Sequence, residues 1–173
     1  MGNSFFAYLE QVELMAFFSG YPLFYAFIRV IALNLARRGE IKSRLVVHLP
    51  HAYALVAALY LGLQLKSLFP DYSFERMHLP YLKAWGVAAV LFWLPAMAKH
   101  PVLSLLHSLV FFFFIVRDLF VESFASAGNS PLVKNDMKLF SVSLLLNLAA
   151  FVAILAISYL IRRFLRLKKS PVE

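Results

Sequence analysis

Residues 101–121, PVLSLLHSLVFFFFIVRDLFV, decide the fold. The run matches the about 20 residues that an α-helix needs to cross a hydrocarbon layer of roughly 30 Å. At about 100° per residue, His100, Ser104, His107, Phe111, Asp118 and Glu122 share an arc of about 60°. Leu105, Leu109, Phe112, Phe113, Val116 and Phe120 take the opposite side. One helix therefore carries an oily face and a seam that gathers its costly polar groups. An unpaired polar group in hydrocarbon is expensive, so the seam must turn toward protein.

The rest of the chain has the same character. Of its 173 residues, 62% are hydrophobic, where a soluble domain is nearer half. Mean hydropathy is +0.75. Working outward from residues 101–121, the chain reads as all-α, a polytopic integral membrane protein in one bundle of five transmembrane helices. The spans fall at about 14–36, 45–65, 82–98, 101–121 and 139–161. Residues 81–121 are about twice the length of one crossing, so they read as a hairpin turning at Lys99-His100-Pro101. A re-entrant pair of half-spans is the alternative.

Local signals mark the elements. Ser19-Gly20-Tyr21-Pro22 interrupts the first span, and Pro22 should kink it or start its regular part. Arg29 lies about 10 Å before the end of that span, placed either to snorkel or to pair with a neighbouring helix. Pro50 suits a first helical turn of the second span. Ala54, Ala58 and Gly62 repeat every four residues, the spacing that lets two helix backbones approach closely. Trp85 suits a headgroup-level anchor. Residues 66–80 and 122–138 read as loops, with Asn135 or Asp136 capping the fifth span. There is no internal repeat.

The net charge is +8, distributed at the ends of the apolar runs. That is the pattern of orientation signals and lipid contacts, and no basic domain stands apart to bind nucleic acid. With the N-terminus outside and the C-terminus cytoplasmic, the inner segments 37–44, Lys99 and 162–169 hold more Lys and Arg than the outer ones. A four-span arrangement would put the basic first loop and the basic tail on opposite sides. Cysteine is absent, which removes disulfides and thiol chemistry. Met1–Glu13 carries Glu10 and Glu13 and no Lys or Arg, unlike a secretory signal. The charge asymmetry points to a bacterial inner membrane.

Three functions fit the polar groups. The first is a non-catalytic subunit or scaffold, packed on the lipid bilayer and on other membrane subunits or copies of itself. The second is a small channel or transporter along the seam of Ser104, His107, Asp118 and Glu122. There Arg29, Asn147, Ser143 and Gln64 would supply further polar contacts, while Phe111 and Phe114 stand in the path. The third is a b-type haem held axially by His51 and His107. Motifs of hydrolases and zinc proteases are missing, so an enzyme is disfavoured. The first reading explains every feature with no missing part.

Overall fold

The computed structural model describes residues 11–37, 44–68, 80–125 and 131–167. Residues 69–79 of the expected loop 66–80, the basic residues Arg38, Lys42, Lys168 and Lys169, and Glu10 lie outside them. The described residues are helical apart from short turns and bends, with no strand among them. In chain order they are α1 (residues 11–18), α2 (Tyr21–Arg37), a 3₁₀ turn at Arg44–His48, and α3 (Leu49–Leu68). Next come α4 (Pro80–Ala88), a second 3₁₀ turn at Ala89–Trp93, α5 (Pro95–Ala98), α6 (Pro101–Ala125) and α7 (Pro131–Leu167).

Four segments are long and apolar enough to cross a membrane by length and composition: Gln11–Ala36, Leu45–Lys66, Pro101–Val121 and Asn135–Leu165. Such a set makes a helical membrane bundle. The expected span at 82–98 departs from a regular crossing. Its apolar helix is shorter, Tyr81–Trp93, and tightens into 3₁₀ geometry before stopping at Leu94. The cause is Pro95, which pushes the residue before it out of the helical region; Leu94 has φ −66° and ψ 132°.

The last span is longer than expected at 139–161. Helix α7 begins at Pro131, a residue suited to a first helical turn, and runs for 37 residues. Asn135 and Asp136 therefore lie inside it rather than capping it, and Asp136 is buried. Most of 122–138, read as a loop by composition, is helix at one end or the other.

Side-chain bonds fix which helix ends lie together. Gln11 Nε2 donates to Asp118 Oδ2 at 3.1 Å, and Gln64 Nε2 donates to Glu13 Oε2 at 3.3 Å. The start of α1 thus meets the ends of α3 and α6. At the other end, Ser158 of α7 meets His48 at 3.5 Å. Between the two ends lies an aromatic core of fully buried Phe18, Tyr21, Tyr53, Tyr60, Phe92 and Phe111.

The small-residue stripe of α3 is only partly a contact. Ala54 is buried, but a Cβ added at Gly62 would meet nothing within 4 Å. The face that packs is instead Leu49, Ala52, Tyr53, Val56, Ala57 and Tyr60, which follows the helical repeat around the aromatics.

Candidate functional site

The first span is interrupted at Ser19–Gly20, where α7 packs against bare backbone. Pro22 has no N–H, so the Phe18 carbonyl loses its helical donor and the chain turns at Ser19–Gly20. Helix α7 repairs the break with two residues four apart. Ser143 Oγ accepts from the Gly20 N–H at 2.8 Å. Asn147 Nδ2 donates to the Phe17 carbonyl at 3.1 Å and to its own helix at the Ser143 carbonyl at 2.8 Å. Because both neighbours of Nδ2 are carbonyl oxygens, the orientation of this amide is settled by its surroundings. Its Oδ1 is buried and has no partner among the described residues.

Close approach makes this possible. A Cβ on Gly20 would stand 2.6 Å from the Leu144 nitrogen and 2.8 Å from the Ser143 carbonyl carbon, both backbone atoms. Ser19 Oγ donates back to the Met15 carbonyl at 2.6 Å, bracing the last turn before the break.

The middle of the α6 seam turns toward protein, with Ser104 and Phe111 buried and His107 and Asp118 partly buried, while His100 at its start is exposed. Ser104, Ser108, Phe111 and Ile115 are buried along it. Ser104 Oγ donates to the Pro101 carbonyl at 2.7 Å, which uses its one proton. Tyr21 therefore donates its hydroxyl to Ser104 Oγ, 2.8 Å away. Tyr53 Oη and His107 Nδ1 share a hydrogen bond of 2.8 Å. The His107 ring lies flat on Trp85, centroids 4.5 Å apart and planes 3° from parallel. Trp85 Nε1 donates to the His107 carbonyl at 3.2 Å, so this exposed indole is tied to α6. His107 Nε2 is buried without a partner among the described residues.

The remaining candidates sit apart. Asp118 takes the Gln11 amide on one oxygen and Arg117 on the other, at 2.9 and 2.7 Å, with Arg117 also 5.4 Å over the Phe114 ring. Glu122 lies on α6, and its side chain is outside the described residues. Gln64 is buried against Glu13 at the same end. Arg29 is exposed on α2, the placement of a snorkelling arginine. Between His107 and Asp118 the seam is closed by rings: Phe18 stacks on Phe111 at 4.8 Å and 24°, with Tyr53 and Tyr60 edge-on to Phe18.

His51 and His107 are not brought together. His51 Nδ1 lies 3.3 Å from the Val47 carbonyl, in the 3₁₀ turn that precedes α3. It is two residues from Tyr53, which points at His107, and two residues on an α-helix are about 200° apart. With Tyr53 on Nδ1, Trp85 on its face, and Phe92 edge-on at 5.8 Å, the His107 ring is enclosed by protein. A haem held between His51 and His107 would have to displace Tyr53, Trp85 and Phe92 from around the partly buried imidazole. Among the described residues, no three His, Asp or Glu side chains gather as metal ligands.

Sequence reading alone does not single out Tyr21, Tyr53 or Gln11 as the partners of the seam. The available signal was spacing: Tyr53 and Tyr60 share a helix face with Leu49 and Val56. No protein-family model, curated protein or solved structure matches this chain.

Proposed function

We propose that this chain is a non-catalytic membrane subunit or scaffold that packs with other membrane subunits, or with copies of itself, in a larger assembly. The observation that carries the reading is how its polar groups are used. Ser104, His107, Asp118, Asn147 and Gln64 each bond to a helix other than their own. Interhelical bonds of this kind are worth only about 0.6–2 kcal/mol each in a bilayer, but they fix register. Stacked phenylalanines separate them, so they form bolts rather than a path.

The outward faces carry the other half of the argument. Helix α7 is mostly uncovered, with 17% of its apolar window buried by the rest of the chain. A crevice between α2, α6 and α7 is lined by Leu23, Ile115, Val116, Leu119, Met137 and Phe140 without a polar side chain. Such surfaces suit neighbouring helices and acyl chains.

Five crossings suit this role, N-terminus outside and C-terminus cytoplasmic, in a bacterial inner membrane. Helices α3 and α6 both end beside α1, so the intervening segment has to return across the bundle. The order of its contacts supports that: Gly86 lies by Tyr60, and Phe92 lies by Tyr53, earlier on α3. Native mass spectrometry after purification in mild detergent tests the assembly. Additional subunits or copies at fixed stoichiometry are expected, and a lone chain counts against the reading.

One observation favours conduction as a second reading: the first span is discontinuous, and broken helices form ion sites in transporters. Ion or proton flux into proteoliposomes that depends on His107 and Asp118 would select it over the scaffold.

A further inference from the structure

Past its contact with the 3₁₀ turn that leads into α3, helix α7 changes character. Ser158 meets His48 at 3.5 Å, and the helix then continues to Leu167. His48 lies just inside the start of the apolar segment Leu45–Lys66, so Arg162 stands about one turn beyond that level. The overrun follows from length: 37 residues at about 1.5 Å each make about 56 Å, against roughly 30 Å of hydrocarbon.

The overrunning turns are two-faced. At about 100° per residue, Tyr159, Arg162, Arg163 and Arg166 fall within an arc of about 100°. Ile157, Leu160, Ile161, Phe164 and Leu165 take the other side, in an arc of about 140°. Arg162 and Arg163 are exposed, and Phe164 is 70% exposed. Lys99 is exposed at the junction of α5 and α6, and Arg44 opens the 3₁₀ turn that leads to His48. The described acids Glu13, Asp118 and Asp136 belong to the opposite end of the bundle, so no described carboxylate answers these cations.

We propose that this end of α7, with the start of α3, binds the headgroup of an anionic phospholipid. The exposed positive charges of Arg162 and Arg163 attract the phosphate. Phe164 and Leu165 sit among the acyl chains beside it. The occupant is set by the two arcs running through the same turns: the ligand must offer oil and negative charge side by side. A nucleic acid offers no oil, and a zwitterionic lipid offers no net charge. The inference uses only the arrangement of α3 and α7 and stands apart from the scaffold reading.

The test uses the full chain in mild detergent, titrated with phosphatidylglycerol or phosphatidylcholine, with bound lipid counted by native mass spectrometry. Phosphatidylglycerol is expected to bind in preference. Arg162→Gln with Arg163→Gln should weaken it about 30-fold, roughly fivefold per arginine. Arg162→Lys with Arg163→Lys should keep most of the preference. Lys66→Gln with Lys138→Gln, at the opposite end, should leave it unchanged. Equal binding of the two lipids overturns the proposal, as does an equal loss in the Lys66 and Lys138 pair. A lysine pair that falls as far as the glutamine pair also overturns it, because the loss then comes from structure rather than charge.

Discussion

The backbone N–H of Gly20 donates to the Ser143 hydroxyl at 2.8 Å, joining α7 to the one turn where the first span is not helical. In hydrocarbon an irregular backbone survives only where protein satisfies it. Ser143 and Asn147, one helical turn apart, do so for the donor on one side of the break and the acceptor on the other. The contact needs α7 to lie against bare backbone, which a side chain at Gly20 prevents.

Gly20→Ala is therefore expected to destabilise the bundle by about 3 kcal/mol, the upper part of the overpacking range, because the obstructing atoms are backbone. Gly62→Ala, which meets nothing, should be neutral or slightly stabilising. Thermal unfolding in detergent of the two variants checks the contrast. Equal losses would show that α7 does not press on the break.

Removing the acceptor's partner should be nearly as costly. Asn147→Leu leaves the Phe17 carbonyl unanswered in the core, at about 1–3 kcal/mol. Ser143→Ala also removes a bond across helices and should cost about 1 kcal/mol. The two residues serve one break, so their losses should not add. A double variant whose loss equals the sum of the singles would argue that each acts alone.

For the Tyr53–His107 bond, a double-mutant cycle with Tyr53→Phe and His107→Leu should give a coupling near 0.6 kcal/mol and no more than about 1.7. Trp85→Phe would keep a ring against the imidazole while removing the bond to the His107 carbonyl. Its cost should be about 1 kcal/mol. Chemical unfolding monitored by far-UV circular dichroism reads all of these.

The break at Ser19–Gly20 was legible because a glycine and a proline two residues apart leave the backbone few options. The inward turn of Ser104 and His107 was legible because burial cost selects a helix face. The partners were not. Periodicity says that a residue faces inward but not which neighbour it meets, and so His51 stood where Tyr53 belongs. The extra length of α7 was hidden by composition: residues 131–138 include Pro131, Asn135 and Asp136, individually typical of loops, yet they extend the helix.

The haem reading has a direct optical test. His107 is enclosed by Tyr53, Trp85 and Phe92, and His51 is on another face of α3. Protein purified after haem-replete expression should show no Soret band. A band that vanishes in His107→Leu would mean that the aromatic packing opens to admit the macrocycle.

Phe111 separates the two readings of the seam. It lies between His107 and Asp118, stacked on Phe18 and fully buried. If the seam's polar groups only hold helices together, proteoliposomes of the wild-type chain carry no ion or proton flux above that of empty vesicles. His107→Ala and Asp118→Asn then leave that baseline where it is. Phe111→Ala removes the ring at a cost of about 3–5 kcal/mol, and its effect is lost stability rather than gained flux. In a conducting seam the same ring is a hydrophobic constriction, and removing it raises flux while His107→Ala and Asp118→Asn lower it. Flux with all three variants, each checked for intact helicity, decides between bolts and a gate.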